Sequence, residues 1–232
     1  RGKITTKIGR EITIAVRMGG GDPTGNMRLK LALSKAKANN IPKDNINRAI
    51  QKGLGATEGS NYEEVLYEGY GPGGVAFYVE CLTDNRNRAA SDVRLAFTRA
   101  GGSMADPGSV AFLFSRRGIV EVAAAEGVDE DSIMEAVLEA GAEEVEDLGG
   151  GFLIESDPSD VVEVRKALQA AGIDYDSAEV QFVAATEVEL DLEGAVKVQR
   201  LVDALEDSDD VQNIYHNMTV SDEVRAQLEE EE

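Results

Sequence analysis

Five consecutive polar residues, Asp84-Asn85-Arg86-Asn87-Arg88, combine residue types that suggest binding chemistry. They follow an apolar segment, 75–82, that predicts a strand, and they open a segment ending at Ala100 that predicts a helix. Backbone amides at a helix N-terminus and guanidinium groups both bind phosphate oxygens. The cluster therefore predicts a phosphate contact. A helix cap with surface arginines explains the same residues equally well.

A glycine-rich run, Gly69-Tyr70-Gly71-Pro72-Gly73-Gly74, matches the G-x-G-x-x-G pattern of dinucleotide-binding proteins. That fingerprint needs a preceding strand and a following helix, whose first amides meet the pyrophosphate. Here the residues that follow predict a strand. We therefore interpret the run as a turn that enters a strand, and we predict no cofactor.

Residue types that carry catalysis or bind metals are sparse. The chain has one cysteine, Cys81, and one histidine, His216, far apart in sequence, so they suggest no zinc site. Cys81 lies within an apolar strand, which favours a packed thiol over a nucleophile. Asp209-Asp210 lacks the spacing of a calcium loop and is interpreted as a solvated face. We expect neither catalytic nor metal-binding residues, and hence no enzyme.

Charge is distributed very unevenly along the 232 residues. The net charge is −21, yet residues 1–60 sum to +8, residues 61–118 to −1 and residues 119–232 to −28. Such asymmetry predicts a basic contact surface for a polyanion and an acidic body that avoids it. Two merely solvated surfaces are the alternative.

The predicted nucleic-acid contacts are the eleven cations of residues 3–60 and four residues of the donor cluster. They are Lys3, Lys7, Arg10, Arg17, Arg28, Lys30, Lys35, Lys37, Lys43, Arg48, Lys52, Asn85, Arg86, Asn87 and Arg88.

Three amphipathic helices are predicted to position the first eleven of these residues. Apolar side chains recur at helical spacing over 3–18, 26–39 and 42–52. Three short helices with small cores predict a bundle, followed by a linker at 53–61. The connection at Asn40-Ile41 also allows a helix-turn-helix interpretation.

Strands and helices alternate after the linker. The predicted strands cover 75–82, 109–115, 119–123, 143–146, 151–155, 177–184 and 211–216, with 109–123 forming a hairpin. The predicted helices reach from 84 or 85 to 100 and cover 129–140, 160–171 and 193–205; the tail 229–232 is predicted to be disordered.

This order predicts an α+β protein with an N-terminal three-helix bundle followed by two ferredoxin-like α/β domains, the last inserted into the second. The predicted domains are 1–60, 61–124 with 189–232, and 125–188. Two consecutive α+β domains are the alternative.

Several stretches resemble the YebC family of bacterial regulators, which includes the mitochondrial translational activator of cytochrome oxidase subunit I. They are Arg-Gly-Lys at 1–3, Arg-Glu-Ile at 10–12, Gly-Gly-Gly-Asp-Pro at 19–23, Ala-Lys-Ala-Asn-Asn-Ile-Pro-Lys-Asp-Asn-Ile at 36–46, Tyr-Glu-Gly-Tyr-Gly-Pro-Gly-Gly-Val-Ala at 67–76, Glu-Cys-Leu-Thr-Asp-Asn-Arg-Asn-Arg at 80–88 and Gly-Ser-Val-Ala-Phe at 108–112.

The resemblance implies the three-domain arrangement and a non-enzymatic role. It implies either a ribosome-associated factor that helps translation through stretches such as consecutive prolines, or a DNA-binding transcription regulator. We rank RNA or ribosome binding first, duplex-DNA binding second and an enzyme third. The family's usual first segment, rich in Lys, His and Trp, is missing from this sequence.

Composition also suggests where the protein works. One cysteine fits a reducing compartment, and no apolar run approaches the roughly 20 residues that span a membrane. We expect a monomer without membrane contact in the bacterial cytoplasm. The mitochondrial matrix is the alternative, because a chain that starts at Arg1 rather than Met is compatible with a preceding leader.

Overall fold

A computed structural model describes residues 2–55 and 61–231. The helices are α1 (Gly2–Gly19), α2 (Met27–Ala38), α3 (Lys43–Gly53), α4 (Arg86–Arg99), α5 (Glu130–Val137), α6 (Val161–Ala170), α7 (Leu192–Glu206) and α8 (Asp222–Glu231). The strands are β1 (Glu63–Tyr70), β2 (Ala76–Thr83), β3 (Ser103–Ala105), β4 (Phe114–Ala123), β5 (Ala142–Asp147), β6 (Gly151–Ser156), β7 (Ser177–Ala184), β8 (Val188–Glu189), β9 (Val211–His216) and β10 (Met218–Thr219).

The first three helices form the predicted bundle. Helix α1 buries Ile8 and Ile12, and it lies so close to α3 that a Cβ at Gly53 would come within 2.7 Å of the Thr13 carbonyl oxygen. Asn26 connects the end of α1 to the start of α2. Its buried side chain donates to the carbonyl groups of Ala15 (2.8 Å) and Gly20 (2.9 Å). The same side chain accepts from the amide of Leu29, so it also caps α2.

A four-stranded antiparallel sheet in the order β3-β1-β2-β9 follows the bundle. Its core is apolar on the face covered by α4 and α7, with Phe77, Phe97 and Leu201 fully buried. The rings of Phe77 and Phe97 meet edge to face, 5.7 Å apart. Strand β9 therefore returns from the far end of the chain to pair with β2, as the prediction of an inserted segment requires.

A second sheet has the order β5-β6-β4-β7 and carries α5 and α6 in the chain order βαββαβ. This is the strand order of a ferredoxin-like unit, and its core includes Ile133, Ile154 and Leu168. The predicted α+β class, with helices first and sheets after, is confirmed. Strands β8 and β10 form a separate two-stranded parallel pair.

The contacts divide the chain into two compact units. The first contains Arg1–Ala32, Ala36–Phe114 and Ala184–Glu232, and the second contains Leu33–Lys35 and Ser115–Val183. The domain boundaries predicted at 60/61, 124/125 and 188/189 stay a prediction. The linker predicted at 53–61 lies largely outside the described residues.

Three local expectations were wrong. Residues 109–123 are not a hairpin, because 111–113 form a 3₁₀ turn and β4 runs unbroken from Phe114. Strand β1 was not predicted at all. Glu229 to Glu231 belong to α8 rather than to a disordered tail. Among the described residues, no helix is long and apolar enough to cross a membrane.

Replacing Asn26 by Ala removes the helix cap and takes away the side-chain donor to the buried carbonyl group of Ala15 and to the partly buried carbonyl group of Gly20. We expect the free energy of unfolding to fall by about 1–3 kcal/mol, measured by urea denaturation and circular dichroism. Asn47→Ala, on the exposed side of α3, is the matched control. A loss no larger than that of the control would contradict this role of Asn26.

Candidate nucleic-acid interface

The cations of α1 contact the acidic segment between α7 and β9. Lys3 forms an ion pair with Asp207 (Nζ–Oδ1 2.8 Å), and Lys7 donates to the carbonyl oxygen of Glu206 (2.8 Å). Burial lowers the pKa of Lys7 despite the nearby charges of Glu206 and Asp209. These predicted phosphate-binding residues are therefore already engaged by acids of the same unit.

Asp210 is the centre of this contact. Its side chain is only 2% exposed and accepts from Arg10 of α1 (2.9 Å) and from Arg88 of α4 through Nε (2.8 Å) and a terminal nitrogen (2.7 Å). Burial by itself would raise the pKa of Asp210, but the hydrogen bonds from Arg88 and Arg10 outweigh it and lower the pKa below its ordinary value. The interpretation of Asp209-Asp210 as a solvated face holds for Asp209 and is wrong for Asp210.

The donor cluster at 84–88 opens α4 as predicted. Asn85 caps the helix by accepting from the amide of Arg88 (3.0 Å), and Arg86 pairs with Glu63 (3.3 Å). Arg88 also pairs with Asp84, so its guanidinium is shared between two carboxylates. The cap interpretation therefore describes Asn85 and Arg88. Arg86 and Asn87 are exposed, and their contact with phosphate stays a prediction.

Tyr62 contacts three of the predicted cations, Arg10 again and two further ones, which sequence reasoning did not foresee. Arg10 and Lys52 lie 5.1 and 5.0 Å from the centre of its ring, and Arg17 donates to its carbonyl oxygen (3.3 Å). Arg28 is held by two carboxylates, Glu11 (2.6 Å) and Glu64 (2.5 Å). The cations of α1, together with Arg28, thus contact the rest of the first unit: the end of α7, Tyr62 and strands β1 and β2.

The hairpin of α2 and α3 carries the cations that remain available. Within the described residues, Lys30, Lys37 and Lys43 form neither an ion pair nor a hydrogen bond through their side chains, and Lys37 and Lys43 are exposed. Arg48 is exposed, and its hydrogen bond within the described part of the chain goes to Asn45 of its own helix (3.1 Å). Lys35 differs because it pairs with Glu179 (3.0 Å), both in the second unit.

The turn between α2 and α3 has a defined, hydrogen-bonded geometry. Asn40 has a positive φ of 53°, its amide donates to the carbonyl of Lys37, and the amide of Ile41 donates to the carbonyl of Ala36. This pair of hydrogen bonds is a Schellman motif, which ends a helix in a fixed geometry. Lys37 and Lys43 therefore flank a defined turn. We take the α2–α3 hairpin, residues 27–53, as the candidate interface.

The residues considered for catalysis lie elsewhere. Cys81 is buried, and burial raises its thiol pKa to about 12, as expected for a packed thiol. His216 is mostly buried, which lowers its pKa, and its Nδ1 accepts from the amide of Met218 (3.2 Å).

The glycine run at 69–74 ends β1 and enters β2 through a 3₁₀ turn, as predicted. Among the described residues, no group of three or more His, Cys, Asp or Glu side chains is placed to hold a metal.

Two family models cover almost the whole chain. The model described as the TACO1/YebC protein N-terminal domain matches residues 1–56, and the model described as the TACO1/YebC second and third domain matches residues 62–218. The chain belongs to the TACO1/YebC family. The N-terminal match covers the bundle. The second match begins at Tyr62, the residue that Arg10, Arg17 and Lys52 of the bundle contact.

Curated relatives and a solved structure agree with this family. A protein of Beutenbergia cavernae named "Probable transcriptional regulatory protein" is 60% identical over 232 residues, covering 100% of this chain and 92% of the relative. A protein of the same description from Mycolicibacterium smegmatis is 59% identical with the same coverage. The crystal structure of a conserved hypothetical protein from Aquifex aeolicus has a TM-score of 0.86 and 43% identity, covering 96% of this chain and 91% of that one.

Removing the Asp210 carboxylate leaves Arg10 and Arg88 without their shared partner. We expect Asp210→Ala to lower the free energy of unfolding by about 3 kcal/mol, measured by chemical denaturation. Asp209→Ala changes the same charge at an exposed neighbour and should have little effect. Equal losses for the two variants would contradict the central role of Asp210.

The same site predicts a pH dependence. Because the folded pKa of Asp210 is lowered, its contribution is complete above the ordinary pKa of about 3.9 and is lost as the pH falls through the folded pKa. The stability difference between the wild type and Asp210→Asn should therefore shrink in acid. Unfolding measured from about pH 6 to pH 2 tests this, and a difference that grows in acid would refute it.

Proposed function

We propose that this chain is a nucleic-acid-binding regulator of gene expression and that its α2–α3 hairpin contacts phosphates. The observation that carries the proposal is the pair of exposed lysines, Lys37 and Lys43, which flank a hydrogen-bonded turn and have no acidic partner among the described residues. Cations that are not neutralised internally can displace condensed counterions from a nucleic acid. The names of the relatives, which describe probable transcriptional regulators, support a regulatory role.

RNA, and the ribosome in particular, is the partner we favour. Arg48, the guanidinium group on α3 that could read a base edge, donates to Asn45 of its own helix, which leaves Asn47 and Gln51 as the exposed uncharged groups for that task. Recognition would then depend on phosphates and shape, which is typical of structured RNA. The finer role, assistance to ribosomes at difficult stretches such as consecutive prolines, rests on the family resemblance. We place the protein in the bacterial cytoplasm and propose that it acts as a monomer.

Duplex DNA is the second candidate. Two helices joined by a short fixed turn resemble a helix-turn-helix, in which the second helix enters the major groove. Asn47 and Gln51 are exposed on α3 and could contact bases there. The relatives' names favour this candidate.

We also propose that the role is non-catalytic. The thiol of Cys81 has a raised pKa and is buried, and both properties oppose nucleophilic chemistry. A turnover that disappears when Cys81 or His216 is replaced would contradict the proposal.

Reversing the two lysine charges beside the turn should weaken binding. We expect Lys37→Glu with Lys43→Glu to lower the affinity for ribosomal RNA about tenfold at low salt, and to reduce the slope of log K against log salt by about 0.7–0.9 per lost phosphate contact. Fluorescence anisotropy at several salt concentrations measures both quantities.

The matched control is Lys166→Glu with Lys197→Glu, which makes the same charge change at side chains that are 50% and 55% exposed. If the two double variants bind equally, the hairpin is not the interface.

RNA and DNA can be separated by competition. We expect unlabelled duplex DNA of any sequence to compete poorly for the protein bound to a labelled ribosomal RNA fragment. DNA of one particular sequence that displaces the RNA at equal concentration would instead establish the transcription regulator.

A further inference from the structure

Phe112 is the most exposed large apolar side chain among the described residues, at 76% of its full surface. It lies in the 3₁₀ turn before β4, between Val110, which is fully buried, and Phe114, which is 7% exposed and stacks on Tyr78. The backbone on both sides of Phe112 is thus packed into the first unit while its ring projects into solvent. Glycine, serine or a charged residue would occupy such a position without exposing an aromatic surface.

A buried carboxylate fixes the loop that presents this ring. Glu68 of β1 is 6% exposed and accepts from the amides of Gly108 (2.6 Å), Val110 (2.9 Å) and Ala111 (2.7 Å). On the other side of the ring, the carbonyl of Leu113 accepts from the amide of Ala185 (2.8 Å). Because the backbone of this loop is already ordered, a contact made by Phe112 loses little backbone entropy on binding.

A second exposed aromatic borders the same loop. Tyr70, at the end of β1, is 41% exposed, and its hydroxyl reaches the carbonyl oxygen of Ser109 at 3.5 Å. Two exposed aromatic side chains therefore lie at or beside the loop 106–113: Phe112 on backbone that Glu68 holds, and Tyr70 on the end of β1, where it pairs with Ala76 and Ser103.

The chemistry of the loop selects the kind of ligand. Three amides that could otherwise form an anion-binding nest are already bonded to Glu68, so the loop offers an aromatic face rather than a phosphate site. A stable protein interface buries about 800 Å² on each partner, far more than one projecting ring supplies. A single ring matches the face of one unpaired base, which stacks on Phe or Tyr in single-strand binding proteins.

We propose that Phe112, bordered by Tyr70, is a stacking site for an unpaired base of single-stranded RNA. This inference rests on the proposed nucleic-acid partner and adds a contact that involves no charge. Stacking displaces no counterions, so its loss changes affinity without changing the salt dependence. The two contacts can therefore be distinguished by experiment.

The chain contains no tryptophan, so Phe112→Trp creates a single fluorescent reporter at the site. We expect single-stranded RNA to quench that fluorescence, whereas a fully paired RNA duplex leaves it unchanged. Leu95→Trp, at a 48% exposed position on α4, is the control and should not respond.

The affinities of the variants for single-stranded RNA provide a second test of the stacking site. Phe112→Ala should weaken binding of single-stranded RNA at least about fivefold with an unaltered salt slope. Phe112→Trp should retain affinity, and Leu95→Ala should match the wild type. These outcomes would support the stacking site.

Three outcomes would overturn it. If the lysine variants lose RNA binding but Phe112→Ala does not and the indole is unquenched, the stacking site is wrong while the proposed function stands. If the wild type binds no RNA under any salt condition, both are wrong. An indole signal that shifts with protein concentration alone would assign the ring to contacts between copies of the chain.

Discussion

The carboxylate of Asp210 organises the first unit. It is almost completely buried, and two arginines from different helices, Arg10 of α1 and Arg88 of α4, satisfy it at hydrogen-bonding distance. A charge removed from water is tolerated only when its partners are close and well oriented. Because Arg10 lies in α1, Arg88 in α4 and Asp210 immediately before β9, this one interaction joins the bundle, a helix that covers the first sheet and the returning strand.

The contacts around Asp210 show that part of the positive charge of residues 1–60 is used inside the protein rather than for binding a polyanion. The excess of +8 in residues 1–60 is not all available to a polyanion, because Lys3, Lys7 and Arg10 contact the acidic segment 206–210. Part of the acidic body therefore attracts the basic bundle and fixes its position. The cations left over are concentrated on the α2–α3 hairpin, whose turn is itself fixed by the left-handed Asn40.

Periodicity and turn residues predicted most elements because those signals are local. The failures have local causes too. Strand β1 carries Glu63, Glu64 and Gly69, which hide its alternation. Arg117 and Gly118 look like a turn, yet Arg117 pairs with Glu143 and Glu155, and a Cβ at Gly118 would collide with Ser156. That glycine permits close packing within a strand rather than a reversal of the chain.

The site was less predictable because its key contacts join distant residues. Sequence composition identified the basic bundle and the donor cluster, but nothing local indicates that Arg10 pairs with an aspartate 200 residues away. The same holds for Glu68, a polar residue in a strand whose partners lie 40 to 43 residues further on. Only the three-dimensional structure shows which of the predicted cations contact other groups of the protein and which are exposed without such a contact.

The central claim is that nucleic acid meets the hairpin cations and not the cations of α1. Crosslinking the full-length protein to RNA in cells, followed by mass spectrometry of the crosslinked peptides, tests it most directly. We predict crosslinks within residues 30–48, near Lys37 and Lys43, and none at Lys7 or Arg10. Crosslinks confined to α1, or to the acidic second unit, would contradict the account.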